Sequence, residues 1–325
     1  MEAIDPVPDV RTFEPKLNGA SPEILAMGYA FLDSKPLNSP TTRTRKAHFL
    51  NVHFKFFKND SVNVTQDQMN AFLVWMRTEQ KYRSAGIGKV KSNTMEFLRY
   101  LHSQGIRKEE PDFRKLTKIP QDQSRATAFS HADYLKLLDA AMSTETQFEY
   151  WPSAIIIGWN TGLRISDVTF LLWSSVDFEN NVLRLKPMKL RHLGQSLEIP
   201  IEPELRTHLK FLWENRDPKK PYVLPSMAWQ AEDHYRWQSA EFGQICKKAG
   251  LVGYSFKSFR HAFVTRLLNA GVDARVIGSI TGQSVQTVYK YTRHVTLAAK
   301  VMALSKARQA MADARTVALN IELPS

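Results

Sequence analysis

Four short segments in the C-terminal half of the 325-residue chain hold the side chains that could carry out chemistry. In the first, Thr161-Gly-Leu-Arg-Ile-Ser-Asp167, Arg164 and Asp167 are three residues apart in a predicted helix and would share one face. An exposed ion pair at this spacing stabilises a helix by only about 0.2–0.5 kcal/mol. Taken alone, the segment favours such a solvated pair.

The second segment is a long hairpin tip that carries four cationic or titratable side chains within seven residues. These are Lys186, Lys189, Arg191 and His192. A basic hairpin tip can enter a DNA groove, but a solvated turn fits the pattern equally well. In the third segment, Lys257 and Arg260 lie at a predicted helix start, where positive charge opposes the helix dipole. This unfavourable placement suggests an anion bound between them.

The fourth segment, Thr281 to His294, contains Tyr289 and Tyr291. A tyrosine hydroxyl can act as a nucleophile. Spacing alone nevertheless favours a core or surface aromatic for both residues.

Composition narrows the choice of partner. The chain has 44 Lys and Arg against 32 Asp and Glu, a net charge of +12, which indicates a polyanion such as nucleic acid or a membrane surface. Its single cysteine, Cys246, excludes an internal disulfide and a Cys-based zinc site. No carboxylate cluster has metal-ligand spacing, so we expect no metal and no cofactor. The N-terminus lacks a signal-peptide pattern, and no apolar run approaches the roughly 20 residues of a membrane span. We therefore expect an intracellular protein, cytoplasmic or nucleoid-associated, with no membrane partner.

Charge also divides the chain. Residues 1–34 are acidic and are interpreted as an N-terminal arm, whereas residues 35–118 carry 17 basic and seven acidic side chains. The basic segment predicts three helices, which begin after Ser39, after Thr65 and before Val90. If its surface binds DNA, we expect contacts from Arg43, Arg45, Lys46, Lys89 and Lys91; a merely solvated surface is the alternative.

The second domain, residues 119–295, is predicted to be mainly α-helical with one small antiparallel β-sheet. Ser130 begins a helix, a buried helix ends at Gly162, and a short helix follows over 163–173. Short strands are predicted at 176–178, 182–185 and 197–199, with helices from there to the end. Residues 296–325 predict a tail helix with an apolar stripe, which needs a groove to cover it. That groove lies either on the same domain or on a neighbouring copy.

The four segments together resemble the tyrosine recombinase (phage integrase) family. Thr161-Gly-Leu-Arg164, a hairpin lysine, Lys257-x-x-Arg260-His261, Gly282-Gln283 and Thr287-x-x-x-Tyr291 occur in that family's order and at close to its spacing. The resemblance covers the whole second domain, and residues 35–118 resemble the family's core-binding domain. It implies a two-domain clamp on double-stranded DNA and a homo-oligomer, a tetramer in the synaptic complex.

The resemblance also implies roles for individual residues. Arg164 and Arg260 would hold the scissile phosphate, and Tyr291 would be the nucleophile. Lys189 would be the general acid, with Lys186 as the alternative. Asp167 would occupy the family's acidic position next to the residues that contact the phosphate. Two positions depart from the usual pattern: Lys257 stands where the family most often has His, and Gln283 where it has His or Trp. Lys257 keeps a cationic donor, whereas Gln283 cannot titrate.

The implied activity is site-specific DNA recombination through a phosphotyrosyl intermediate, without metal or ATP. Arginine suits this chemistry because its planar, always charged fork binds phosphate oxygens in pairs. Two alternatives stay open: a type IB topoisomerase, which uses the same chemistry to relax supercoils, and a DNA-binding protein with a degenerate site.

Overall fold

The computed structural model describes residues 15–113, 115–122, 128–143, 150–188, 194–233, 237–291 and 295–302, together with 304, 305 and 308. They separate into two compact units with the boundary between residues 124 and 125. The first is called the N-terminal unit and the second the C-terminal unit. The sequence placed this boundary between about 115 and 130 and drew it after residue 118. The N-terminal unit extends past 118 because Asp122 accepts hydrogen bonds from Ser84 and pairs with Arg77 at 2.9 Å.

Four α-helices build the described part of the N-terminal unit, and two of them begin at the caps that the sequence predicted. Ser39 accepts a hydrogen bond from Thr42 N, and Thr65 forms a capping box with Gln68. Their apolar faces meet in a core rich in phenylalanine. The helices are α1 (Pro22–Asp33), α2 (Pro40–Phe57), α3 (Gln66–Thr78) and α4 (Ser84–Ser103).

The interpretation of residues 1–34 as a separate acidic arm is wrong for their described part. Helix α1 lies in this segment, and its Phe31 and Leu32 are fully buried. Phe31 packs edge-on against Phe97 of α4, with ring centroids 5.5 Å apart. Burial of these side chains ties the helix to the unit, and its acidic residues face outward. Residues 1–14 lie outside the described residues.

The C-terminal unit is mainly helical with one small antiparallel sheet, as predicted. The sheet has the order β1-β2-β3, and Leu183 pairs with Val176 on one side and Ile199 on the other. The elements are α5 (His131–Met142), α6 (Trp151–Thr161), α7 (Ile165–Thr169), β1 (Val176–Asp177), β2 (Val182–Leu185), β3 (Leu197–Pro200), α8 (Pro203–Glu214), α9 (Pro225–Asp233), α10 (Trp237–Lys248), α11 (Lys257–Asn269), α12 (Ala274–Thr281) and α13 (Val285–Tyr289).

Helix α7 is shorter than the predicted 163–173. It ends at Thr169 because the chain beyond it pairs with a distant segment: Val223 N donates to Leu171 O at 2.7 Å, and Trp173 N donates to Pro221 O at 2.9 Å. Arg164 is the N-cap of α7, with extended backbone, rather than a residue inside a helix. Its side chain therefore leaves the chain at the junction between α6 and α7.

Among the described residues, no helix combines the length and apolar character that a membrane crossing requires. The same residues contain no group of three or more His, Cys, Asp or Glu side chains placed to hold a metal ion.

His53 is a fully buried titratable group in the core of the N-terminal unit. Its Nε2 donates to Ser61 O at 3.2 Å, and the rings of Phe54, Phe57 and Phe97 surround the imidazole. Burial lowers the pKa of His53 from 6.5 to about 3, and the hydrogen bond to Ser61 opposes this shift only in part. The folded unit therefore keeps this imidazole neutral.

The free energy of unfolding of the N-terminal unit should fall as the pH drops below 6.5. In that range His53 binds a proton in the unfolded chain but stays neutral in the folded one. Between pH 7 and pH 5 the loss should be about 2 kcal/mol. Hydrogen exchange of the α2 and α4 amides measures it. The variant His53→Gln, which keeps a donor for Ser61 O but cannot titrate, should lose this part of the pH dependence. Equal pH dependence in the two proteins would contradict the prediction.

Candidate active site

Two helices of the C-terminal unit end in the same way, and their ends form the floor of the site. Helices α6 and α12 both finish in Thr-Gly, and the glycines, Gly162 and Gly282, adopt the left-handed conformation with φ of 62°. Glycine is favoured there because it has no Cβ. The preceding threonines, Thr161 and Thr281, return a side-chain hydrogen bond to the carbonyl four residues earlier, at 2.6 and 2.7 Å.

Arg260 connects these two helix ends. Only 3% of this residue is exposed; its Nη1 donates to Gly162 O at 3.2 Å and its Nη2 donates to Thr281 O. Carbonyls at a helix C-terminus have no intrahelical donor and carry partial negative charge, so they suit a buried cation. Within the described part of the chain, Arg260 Nε is buried without a hydrogen-bond partner.

Arg164 and Asp167 lie beside Arg260, but they are not the solvated ion pair that their spacing favoured. The Asp167 side chain is only 1% exposed, and its Oδ2 is 3.8 Å from Arg164 Nη1, too far for a hydrogen bond. Its Oδ1 accepts from Met188 N at 2.9 Å. In the described residues, Arg164 Nη1 and Asp167 Oδ2 are both buried without a hydrogen-bond partner.

Electrostatics at these residues show an excess of positive charge. Burial, and then the nearby Arg164 guanidinium, lower the pKa of Arg260 to about 10, while Tyr291 and Asp167 act in the opposite direction. Burial also raises the pKa of the Asp167 carboxyl, against the effect of Met188 N–H and the two arginines. Arg260 remains charged at neutral pH. Two neighbouring guanidiniums that repel each other, each with one buried nitrogen that has no acceptor among the described residues, can bind an anion.

Tyr291 places its hydroxyl in this site. The residue is 6% exposed, and its oxygen accepts a hydrogen bond from Gln283 Nε2 at 3.3 Å. The ring of His261 meets the Tyr291 ring edge-on, with centroids 4.7 Å apart. Tyr289, the alternative nucleophile, is 58% exposed. Sequence reasoning assigned no role to His261, although its position directly after Arg260 was the available signal.

Gly278 lets Gln283 approach Tyr291. A Cβ at Gly278 would lie 2.8 Å from Gln283 O, a contact that real Cβ atoms essentially never make. Gln283 N also donates to Gly278 O at 3.1 Å. The turn after α12 therefore packs directly on the helix backbone, and this packing fixes the position of the Gln283 backbone.

The lysines are distributed differently. Lys257 is the first residue of α11, exposed, one turn before Arg260. Lys186 is exposed and lines a small cavity together with Asp167 and Met188. Lys189, Arg191 and His192 lie outside the described residues.

In the N-terminal unit the predicted DNA contacts differ in availability. Arg43 pairs with Asp33 at 2.5 Å, and the Lys46 ammonium pairs with Glu96 at 2.5 Å with only 16% of its side chain exposed. Arg45 and Lys89 are exposed, and Lys91 is half-buried. Arg45 and Lys89 are thus the most accessible of the predicted set.

Two arginines and a tyrosine hydroxyl that lie together in a helical domain are suited to chemistry on phosphate esters. The phage integrase family matches residues 128–297, more than half of the chain. The chain belongs to this family, as its sequence motifs predicted.

Its relatives are tyrosine recombinases. The chain is 25% identical over 248 residues to XerD of Proteus mirabilis, which covers 74% of this chain and 78% of XerD. It is 26% identical over 243 residues to XerC of Roseiflexus castenholzii, 71% of this chain and 74% of XerC.

The fold is similar to solved integrase structures. The Tn1549 transposon integrase in complex with circular intermediate DNA matches with a TM-score of 0.69 at 16% identity, over 87% of this chain and 99% of that one. A lambda integrase dimer bound to a COC′ core site matches with a TM-score of 0.66 at 16% identity, over 82% and 94%. These similarities establish the predicted fold class.

Proposed function

We propose that the protein is a site-specific DNA recombinase that cleaves and rejoins DNA strands through a 3′-phosphotyrosyl intermediate. The observation that carries this proposal is the pair of buried arginine N–H groups, Arg164 Nη1 and Arg260 Nε, that have no hydrogen-bond partner among the described residues. They lie at the site where Gln283 holds the Tyr291 hydroxyl. A phosphodiester would supply the missing acceptors. The protein would work on DNA inside the cell, in the cytoplasm or nucleoid.

The chemistry follows from this arrangement. Arg164 and Arg260 bind the non-bridging oxygens of the scissile phosphate and stabilise the charge that develops there. The Tyr291 oxygen, after losing its proton to solvent, bonds to phosphorus, and the bond from phosphorus to the 5′ oxygen breaks. Lys189 protonates the departing 5′ oxygen. The phosphotyrosyl bond stores the energy of the broken one, so a 5′ hydroxyl can reverse the step without ATP or metal.

Gln283 and Lys257 assist in ways that their chemistry allows. The Gln283 amide donates to the Tyr291 oxygen at 3.3 Å and so helps to fix the position of the nucleophile. Because an amide does not titrate, Gln283 transfers no proton. Lys257, exposed at the start of α11, adds a cation near the phosphate-binding arginines.

Tyr291→Phe should abolish covalent attachment to DNA while leaving DNA binding unchanged, because only the nucleophilic oxygen is removed. Nicked genomic fragments of the source organism are incubated with the protein. DNA that stays attached to the protein in denaturing detergent is recovered and sequenced. The recovered duplex then serves for quantitative assays. Tyr289→Phe is the matched control and should keep full adduct formation.

Adduct formation by Tyr291→Phe and not by Tyr289→Phe would reassign the nucleophile. Absence of any adduct with the natural chain, with binding retained, would favour a degenerate DNA-binding protein. Relaxation of supercoils without recombinant products would indicate a type IB topoisomerase instead.

Asp167 links the proposed phosphate site to Met188, the residue before the proposed general acid. Its Oδ1 holds Met188 N at 2.9 Å, and Lys189 is the next residue in the sequence. The same carboxylate lies 3.8 Å from Arg164. One buried side chain therefore holds Met188 by a hydrogen bond and places a negative charge beside Arg164.

Lys189→Ala should lower the cleavage rate by about 100-fold, a typical contribution of general acid catalysis. A duplex with sulfur in place of the 5′-bridging oxygen should restore the rate, because a thiolate leaves without a proton. Lys186→Ala is the control and should need no rescue. Rescue of Lys186→Ala but not of Lys189→Ala, measured as adduct formation over time, would move the role to Lys186.

We also propose that the protein assembles as a homo-oligomer on double-stranded DNA, a tetramer at synapsis. The tail helix supports this. Thr296 caps it by accepting from Ala299 N at 3.2 Å, and residues 297–302 are helical. Its apolar residues Leu297, Val301 and Leu304 are 77%, 59% and 62% exposed. A second copy would cover this stripe, and head-to-tail docking can close a ring.

Truncation after His294 should leave a folded protein that binds one half-site but assembles and recombines poorly. In the full chain, the double substitution L297E/V301E should have the same effect, because charge on the stripe prevents its burial. Lys300→Glu, a charge change in the same helix outside the stripe, is the control. Complex size on a full site and recombinant yield are the measurements. Undiminished assembly of both altered proteins would refute a role for the tail.

A further inference from the structure

Arg266, in the last turn of α11, makes a two-part contact with Trp159 behind the active site. The guanidinium carbon lies 3.7 Å from the centroid of the indole ring, and Nη2 donates to Trp159 O at 2.6 Å. Trp159 is 4% exposed. A guanidinium over an indole face is attractive, and more so when it is removed from water. The contact therefore joins the backbone and the side chain of one α6 residue to α11.

The contact belongs to a larger stack that no proposed catalytic step uses. The ring of Tyr134 lies parallel to the Trp159 ring, with centroids 4.6 Å apart and planes 7° apart. The Tyr134 hydroxyl donates to Glu204 at 2.9 Å. Burial lowers the pKa of Arg266, and the Glu204 carboxylate and Tyr134 partly offset this. Residues of α5, α6, α8 and α11 thus meet at this stack.

Arg266 and Arg260 fix the same end of α6. Trp159 O belongs to the last four residues of α6, whose carbonyls have no donor within the helix. Arg266 supplies that donor, and Arg260 supplies the donor to Gly162 O, three residues later. Both arginines lie on α11, six residues apart. Arg164 follows Gly162 by two residues, so its backbone starts from a turn that α11 holds at two points.

We propose that Arg266 is a positioning residue for phosphate binding, which acts through the end of α6 on Arg164 and on the carbonyl that orients Arg260. The inference rests on the proposed recombinase function. Without the guanidinium, the last turn of α6 loses one of its two attachments to α11. Displacement of a binding group by about 1 Å can cost about 100-fold in rate.

The test compares two scissile groups in the duplex recovered by covalent trapping. One is the natural phosphate; the other is a methylphosphonate, in which a methyl group replaces one charged oxygen. Arginines contribute less to cleavage of the neutral group because it carries less charge. A protein with displaced arginines should therefore lose much more activity on phosphate than on methylphosphonate. A partly unfolded protein loses the same factor on both.

Arg266→Lys keeps the charge without the planar fork, and Arg266→Met removes both. We expect strand cleavage of the phosphate duplex to fall about 10-fold for Arg266→Lys and about 100-fold for Arg266→Met. On the methylphosphonate duplex, the logarithm of each fold-loss should be less than a third of its value on phosphate. Arg164→Ala serves as the reference for a direct loss of phosphate binding. Unfolding midpoints are measured for each protein.

The chain offers a matched control in Arg216. Its guanidinium carbon lies 3.2 Å from the centroid of the Trp213 ring, and its Nη1 donates to Trp213 O at 2.6 Å. This is the same type of contact at the end of α8, between two residues that belong to neither α6 nor α11. Arg216→Lys should leave both cleavage rates unchanged.

Three outcomes would overturn the proposal. Equal losses of the Arg266 variants on the two scissile groups would assign the contact to general stability. Failure of both variants to fold would do the same. Adduct formation at the natural rate in both variants would show that α6 holds its position without Arg266. Absence of an adduct with the natural chain would instead refute the recombinase function on which the inference rests.

Discussion

The buried Arg260 guanidinium holds the candidate active site of the C-terminal unit together by joining the ends of α6 and α12. Removing an isolated cation from water costs several kcal/mol, and hydrogen bonds to helix-terminal carbonyls offset only part of this penalty. The remaining burial penalty, together with the charge of Arg164, lowers the pKa of Arg260 to about 10. Its free Nε among the described residues and the neighbouring Arg164 make the site electropositive. A phosphate bound there would offset this positive charge.

This geometry depends on glycines at the two helix ends. A Cβ at Gly162 would lie 2.9 Å from the Phe263 ring of α11, and its φ of 62° disfavours other residues. A Cβ at Gly158, one turn earlier, would lie 2.7 Å from Phe256. Helices α6 and α11 can therefore approach closely enough for Arg260 to reach Gly162 O. The absence of a side chain at Gly158 and Gly162 therefore determines how closely α11, which carries Arg260, packs on α6.

Local signals in the sequence predicted much of this fold, because they act within one turn of a helix. Ser39, Thr65 and Ser130 cap the helices that they were expected to begin, and Gly162 ends α6. The motif order predicted the family. Spacing alone could not place the active-site side chains relative to the surface, and it misassigned Asp167 to an exposed pair.

Asp167 is buried because of contacts that sequence periodicity does not report. Helix α7 stops early where the chain pairs with residues 221–223, and Met188, which holds the Asp167 carboxylate, lies 21 residues further along the chain, three residues after β2. The acidic composition of residues 1–34 misled in a similar way, since the apolar face of α1 decides its place. The charge of a segment indicates the character of its surface, whereas its buried apolar side chains, such as Phe31 and Leu32, decide where it packs.

Charge balance connects the architecture with the chemistry. Arg164 and Arg260 with an ionised Asp167 give the buried site a net charge of about +1, and Lys257 lies one turn from Arg260. A phosphodiester carries one negative charge, and attack by a phenolate adds a second in the transition state. The attraction therefore grows as the reaction proceeds, which is the condition for catalysis rather than mere binding.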